Sequence, residues 1–250
     1  MNNDNNYEWA HKTAYVKDQT GVVAKKFFAN VFLWMFIALG LSTISAYVMA
    51  SNEELFSILR NPETLKPTVL GYVAMFAPIG LVLLMSAGLS RLSYGALLVT
   101  FTAYSVLTGL SLSFILLAYT SGSVISCFAG AAGIFGIMAF LGYTTNVDLT
   151  KFGPILMVGV AGLFIASIAN MFIQSENFSL IMAFIGIAIF TALTAYDVQK
   201  LKRIGEGIEE GGAQIEDADT KKLAIMGALS LYLDFLNIFL FLLRIFGGRR

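Results

Sequence analysis

TALTAYDVQK, residues 191–200, and LYLDFLNIFLFLLRIFG, residues 231–247, decide how this chain is read. Each belongs to an apolar run, and each carries a single aspartate, Asp197 and Asp234. Every other acidic residue lies in a polar tail or connection. A carboxylate inside hydrocarbon is expensive, so one found there marks function by default and requires a partner. The expected partner of each aspartate is the other.

Outward from these two runs the chain stays apolar. Of 250 residues, 57% are hydrophobic and 13% charged, with mean hydropathy +0.76. A soluble domain carries roughly a quarter charged residues. Several runs reach the ~20 residues that a helix needs to cross a bilayer. The strict alternation of a membrane barrel is missing. The reading is an all-α integral membrane protein with seven transmembrane helices. They are expected at about 27–50, 67–89, 94–119, 122–143, 152–173, 178–200 and 223–246.

A formal net charge of zero gives no bulk field to attract nucleic acid, so no nucleic-acid partner is expected. Cys127, the single cysteine, cannot form an internal disulfide, and the lone His11 lies in a polar stretch. No cofactor is expected. The first apolar run is too long for a cleavable signal. Residues 1–26 read as a polar tail, with a short interfacial helix expected over 15–23. Pro78 should bend the second span. Ser126, Gly130, Gly133 and Gly136 at three- and four-residue spacing read as a close-packing face of the fourth. Residues 206–219 read as an acidic, glycine-containing connection.

Seven spans place the two termini on opposite sides. Eleven of the 16 Lys and Arg fall in the N-terminal tail and in the connections after spans two, four and six. The positive-inside rule then puts the N-terminus in the cytoplasm and the short C-terminus outside a cell membrane.

The polar residues in the last spans are spaced for single helix faces. Thr191, Thr194 and Asp197 follow at steps of three; Ser230, Asp234 and Asn237 follow at four and three. Such steps stack side chains on one side of a helix. The seventh span should therefore sit centrally, shielded from lipid. Asp234 lies eleven residues past Leu223, which at 1.5 Å per residue is roughly 17 Å deep. Two carboxylates brought together in low dielectric cannot both ionise cheaply, and such a pair tends to share a proton. Holding one proton, the pair ties span six to span seven; without it, the two charges repel. Arg91, closing span two, is the expected modulator. Thr194, Ser230 and Asn237 are the expected supports of the pair or of an ion path.

Plainer readings compete. Asp234 could serve packing alone, and Asp197 could be an interfacial partner of Lys200 or Lys202. Arg91 could be a positive-inside anchor. Arg244 reads as a snorkelling residue. Ser167, Asn170 and Gln174 read as helix-to-helix glue.

Leu193-Thr194-Ala195-Tyr196-Asp197-Val198-Gln199-Lys200 and Ala228 through Phe239, with Leu242-Leu243-Arg244-Ile245-Phe246-Gly247, resemble the Bax-inhibitor family, the transmembrane Bax inhibitor motif-containing proteins. Thr108-Gly109-Leu110-Ser111-Leu112 resembles a further family signature. The resemblance implies six helices around a central seventh, and a pH-dependent calcium leak through that bundle. It implies that Asp197 and Asp234 are the family's paired aspartates and Arg91 its arginine on the second helix. It is closest to bacterial members, some of which are linked to control of a membrane-anchored ATP-dependent protease. The animal members' role in cell death is not carried over, because their longer tails are missing.

The leading expectation is a pH-sensitive leak channel or weak transporter for cations, Ca2+ first, moving protons and Ca2+ as partners within the lipid bilayer. Calcium prefers six to eight oxygen ligands. Asp197 and Asp234 with Asn237, hydroxyls and waters would hold it only weakly and transiently. One alternative is a non-transporting regulator of a membrane-anchored protease or other membrane partner. A remoter one is an intramembrane aspartyl protease, which Tyr196-Asp197 mimics. The second aspartate argues against it, because Leu231-Tyr232-Leu233-Asp234 lacks the glycines of that enzyme motif. No enzyme activity is therefore expected.

Overall fold

Asn52, Thr68, Ser93 and Thr120 each start a helix, the last three just before an apolar run. Their side-chain oxygens accept from the N–H groups of Leu55 (3.1 Å), Gly71 (3.1 Å), Ala96 (3.2 Å) and Ser123 (3.4 Å). Each bond satisfies an N–H that the first turn leaves unpaired. The computed structural model describes residues 21–211 and 217–249. Its helices are α1 (Val22–Ser51), α2 (Glu53–Leu59), α3 (Val69–Gly88), α4 (Tyr94–Ala118), α5 (Ser121–Thr144), α6 (Gly153–Ile173), α7 (Glu176–Gly211) and α8 (Asp217–Phe246). A 3-10 turn, Leu149–Phe152, precedes α6. All but α2 are long and apolar enough to cross a membrane.

The C-terminal helix is the axis of the bundle. α1, α4, α5 and α7 pack directly on α8, while α3 leans on α4 and α6 on α7. The apolar part of α8 is the most buried of the seven, and that of α6 the least. The C-terminus is fastened to the α4–α5 turn: Thr120 donates to the Gly248 carbonyl at 2.9 Å, and Gly248 donates to Ser123 Oγ at 2.9 Å. Pro78 lies within α3 without ending it, and it faces the bundle.

Small residues set the helix crossings. A methyl group at Gly109 of α4 would collide with the Ser42 carbonyl of α1. One at Gly142 of α5 would collide with the backbone of Ala195 in α7, two residues from Asp197. The glycines expected to pack in the fourth span are not the crossing point. A Cβ at Gly133 or Gly136 meets nothing within 4 Å, and one at Gly130 makes only an ordinary contact with Leu242, at 3.6 Å. Gly136 instead borders an open gap between α5 and α1.

The acidic connection is shorter than the sequence suggests. Residues 206–211 continue α7 and residues 217–219 begin α8; residues 212–216 lie outside the described set, as does most of the tail helix expected over 15–23. Leu201, Gly205 and Ile208 form a buried stripe at four- and three-residue steps, and Gly205 packs against Ala24 and Phe27 of α1. Burying that stripe outweighs the loop-like composition around it. Asp217 and Asp219 occupy the first turn of α8, where acids favour a helix start. They pair with Lys221 (2.6 Å) and Lys222 (2.7 Å).

The Gly142 crossing can be tested against a glycine in open space. Gly142→Leu is expected to destabilise by about 1–3 kcal/mol or more through overpacking. Gly162→Leu, whose Cβ would meet nothing within 4 Å, should leave stability within about 0.5 kcal/mol. Thermal unfolding in detergent reads the difference; equal melting temperatures would contradict the crossing.

Candidate functional site: the seam between the last two helices

Two contacts fix the register of α7 against α8. Gly186 of α7 lies under the Phe241 ring of α8, and Gly227 of α8 lies under the Leu201 side chain of α7. Phe190 adds a ring contact to Phe241, with centroids 6.0 Å apart. In this antiparallel register Asp234 stands level with Thr194, and Asp197 with Leu231. The aspartates are thus one turn apart, about 4.5 Å along the helix axis. Gly227, Asp234 and Phe241 recur every seven residues; Gly186, Phe190, Asp197 and Leu201 follow at four, seven and four. Both acids therefore belong to stripes whose other members face the partner helix.

Asp234 is 4% exposed, and its Oδ2 has no hydrogen-bond partner among the described residues. The charge on Asp197 bears on it directly. Asp197 is half-buried, nearer the helix end, where Lys200 acts on it. The other buried side-chain atom without a partner among the described residues is Thr191 Oγ1, on the turn of α7 level with Asn237. Buried polar groups without partners are rare and call for an explanation. Both of these lie on the two polar stripes singled out in the sequence.

The three supporting residues flank the pair without bonding to it. Thr194 is fully buried and donates to the Phe190 carbonyl at 2.8 Å. Asn237 donates to the Leu233 carbonyl at 2.8 Å. Ser230 is half-buried, one turn from Asp234. Arg91 is not brought to the pair. It is exposed in the α3–α4 turn and forms no ion pair with either aspartate. It lies where α3 ends and α4 begins, and α3 packs chiefly on α4. Among the described residues no group of three or more His, Cys, Asp and Glu gathers in a way that could hold a metal ion.

Sequence reading missed a strap on α7 just beyond Asp197. Gln199 donates to the Val147 carbonyl (2.8 Å) and accepts from the Leu149 N–H (2.8 Å). Arg203 pairs with Asp148 at 2.8 Å, and Lys202 donates to the Tyr143 carbonyl at 3.1 Å. The α5–α6 connection is thereby held along α7. The available signal was the Asp148-x-Thr150 pair, which reads as a side-chain turn. The Thr150 hydroxyl and N–H, then Arg203, hold the Asp148 carboxyl down at about 2.

On the opposite side of α8 a second polar cluster is fully satisfied. The Tyr232 hydroxyl meets Ser42 Oγ at 2.8 Å, and Ser42 Oγ also donates to the Ser105 carbonyl at 2.7 Å. The Tyr104 ring stands edge-on to Tyr232 at 5.4 Å. Two residues along a helix is a rotation of about 200°, so Tyr232 faces away from Asp234.

Comparison with known proteins adds relatives to this geometry. A family model described as inhibitor of apoptosis-promoting Bax1 matches residues 24–250. The Escherichia coli K12 inner membrane protein YbhL is 41% identical over 227 residues, covering 90% of this chain and 92% of the relative. An uncharacterized protein of Borreliella burgdorferi is 38% identical over 231 residues, covering 92% and 94%. An uncharacterized membrane protein of Streptococcus pyogenes serotype M6 is 35% identical over 231 residues, covering 92% and 95%.

The strap makes a prediction of its own. A carboxyl lowered on folding stabilises above its ordinary value near 3.9 and loses that contribution as pH falls through its folded value, about 2. The strap should therefore hold unchanged from neutral pH to about pH 4. Carboxyl-carbon NMR of Asp148 should show Thr150→Val raising its midpoint more than Arg203→Gln does. The reverse order would contradict the assignment of Thr150 as the main cause.

Proposed function

The chain belongs to the Bax inhibitor family, and from that premise we propose that it is a pH-sensitive leak pathway for cations, Ca2+ foremost, gated at the α7–α8 seam. The observation that carries the reading is the buried, unpartnered oxygen of Asp234, one turn from Asp197 across two packed helices. An ionised carboxylate left so is strongly disfavoured, whereas a shared proton gives the pair an O–H···O⁻ bond. Asp234 carries the desolvated end of the pair. Asp197, half-buried and beside Lys200, is its route to the outside. The charge of Lys200 bears on Asp197, and that of Asp197 on Asp234.

In this reading the protonated pair ties α7 to α8 and closes the bundle. Deprotonation sets two negative charges one turn apart, loosens the seam and supplies oxygens to a passing divalent ion. Calcium is cargo here, because two carboxylates fall far short of its preferred six to eight ligands. The end bearing Lys25, Tyr143 and Lys202 faces the cytoplasm, following the distribution of Lys and Arg. Protons and Ca2+ on that side meet Asp197 first.

Ca2+ flux into liposomes is the test. The amide of Asp234→Asn stands in for the protonated acid and keeps the seam tied. It is expected to lower flux at neutral pH about tenfold, the scale of one hydrogen bond to a charged group. It should also flatten the response between pH 6 and 8. Asp197→Asn should behave alike, and the double variant should add little beyond either. Flux that keeps its full pH response in the double variant would sink the proposal.

A further inference from the structure

The ring around α8 is incomplete between α1 and α5. Near the Lys-rich end these helices meet through Phe28 and Tyr143, with ring centroids 5.1 Å apart, and through Phe32 and Phe135, at 6.4 Å. Beyond that contact the gap opens into two cavities of about 640 and 380 Å3, which share Leu39, Thr43, Phe128 and Phe235. Leu39 lies near the middle of α1's apolar run, so the cavities divide close to mid-depth, one toward each leaflet. Their floor is α8, on the side away from the aspartate pair.

We propose that this cleft is a binding site for phospholipid acyl chains, one chain entering each cavity from the leaflet it faces. The walls are aliphatic and aromatic, and the hydroxyls at the floor are already engaged. Thr43 donates to the Leu39 carbonyl at 2.8 Å, while Ser42 and Tyr232 bond to each other at 2.8 Å. Among the described lining residues the hydroxyl left over is that of Tyr47, which is exposed at the interfacial end of α1. Apolar cavities stay dry and take apolar guests. The cleft is continuous with the lipid-facing surface: Phe36 and Ile44 are 62% exposed at its mouth, and Ile125 is 69% exposed. What surrounds that surface in a bilayer is hydrocarbon, which identifies the occupant.

Two glycines keep the larger cavity wide. A Cβ at Gly40 of α1 or Gly136 of α5 would meet no atom within 4 Å, so bulk added there projects into the cleft without disturbing the packing. A seated chain touches Phe235 and buttresses α8 from the side opposite α7. The site stands on the membrane architecture alone and does not depend on the gating role of the aspartates.

The test uses the full-length chain in phosphatidylcholine nanodiscs with phosphatidylcholine spin-labelled near mid-chain. Gly40→Leu with Gly136→Phe is expected to remove about one motionally restricted chain per protein from the electron paramagnetic resonance spectrum, by filling the larger cavity. Gly162→Leu, a glycine in open space on α6, serves as the control and should remove none. Gly40→Leu alone, a milder change, should give a partial loss. Native mass spectrometry after mild delipidation should show the same order of retained phospholipid. A double variant that holds as many restricted chains and retained lipids as the Gly162→Leu control would overturn the proposal.

Discussion

A carboxylate that has left water and found no hydrogen-bond donor is the constraint from which this architecture is best understood. Asp234 has one such oxygen, and it sits in the most buried helix of the bundle. In a membrane interior every polar group has to be satisfied from within the protein, because the solvent offers nothing. The backbone obeys this by being helical. Asp234 obeys it only if something not fixed in the fold completes it: a proton shared with Asp197, water, or a passing ion. The glycines that let α7 and α8 approach at Gly186 and Gly227 are what bring the second acid within reach.

The rest of the bundle divides α8 into a held side and a loaded side. Tyr232, Ser42 and Ser105 bind it to α1 and α4 through satisfied hydrogen bonds, and Phe235 and Phe239 stand edge-on to Phe128 of α5. Between Leu223 and Leu243 the one charged residue of α8 is Asp234, on the face toward α7. If the seam parts, α7 is the element free to give, and it does not travel alone. Gln199 and Arg203 tether it to residues 147–149, just ahead of α6. Because the Asp148 carboxyl is held at about 2, that tether stays ionised wherever the family's chemistry is of interest. On the proposed reading the same helix bears a proton-responsive contact at Asp197 and a proton-indifferent one within two turns of it.

The helical architecture was legible because hydrophobic run length is a strong signal in a membrane. The two polar stripes were legible because three- and four-residue steps are unambiguous on a helix, and both unpartnered atoms, Thr191 Oγ1 and Asp234 Oδ2, fall on them. What failed was whatever depends on which neighbour a face meets. The fourth-span glycines have the spacing of a packing motif, yet Gly133 and Gly136 look into open space and Gly142 makes the crossing. Arg91 was expected to modulate the acids on the strength of family likeness and depth; in the structure it is exposed and forms no ion pair with either. The acidic run after Lys200 has loop composition, but the stripe Leu201, Gly205 and Ile208 found α1 to pack on. Gln199 escaped notice because its two partners are backbone groups about fifty residues away.

Hydrogen-bond satisfaction also separates the two unusual regions of the bundle by the kind of occupant they suit. In the α1–α5 cleft the floor hydroxyls are already bonded within the protein, so an ion entering it would exchange its hydration shell for hydrocarbon and gain nothing. In the α7–α8 seam the balance is reversed: acceptor atoms are left over, and they lie one turn apart on facing helices. A proton or a cation entering there loses water and gains oxygens. Two regions on opposite sides of α8 are therefore suited to hydrocarbon and to positive charge respectively, and the helix between them borders both. On the proposed readings, a lipid chain in the cleft would buttress α8 from one side while the proton state of the pair would set its grip on α7 from the other.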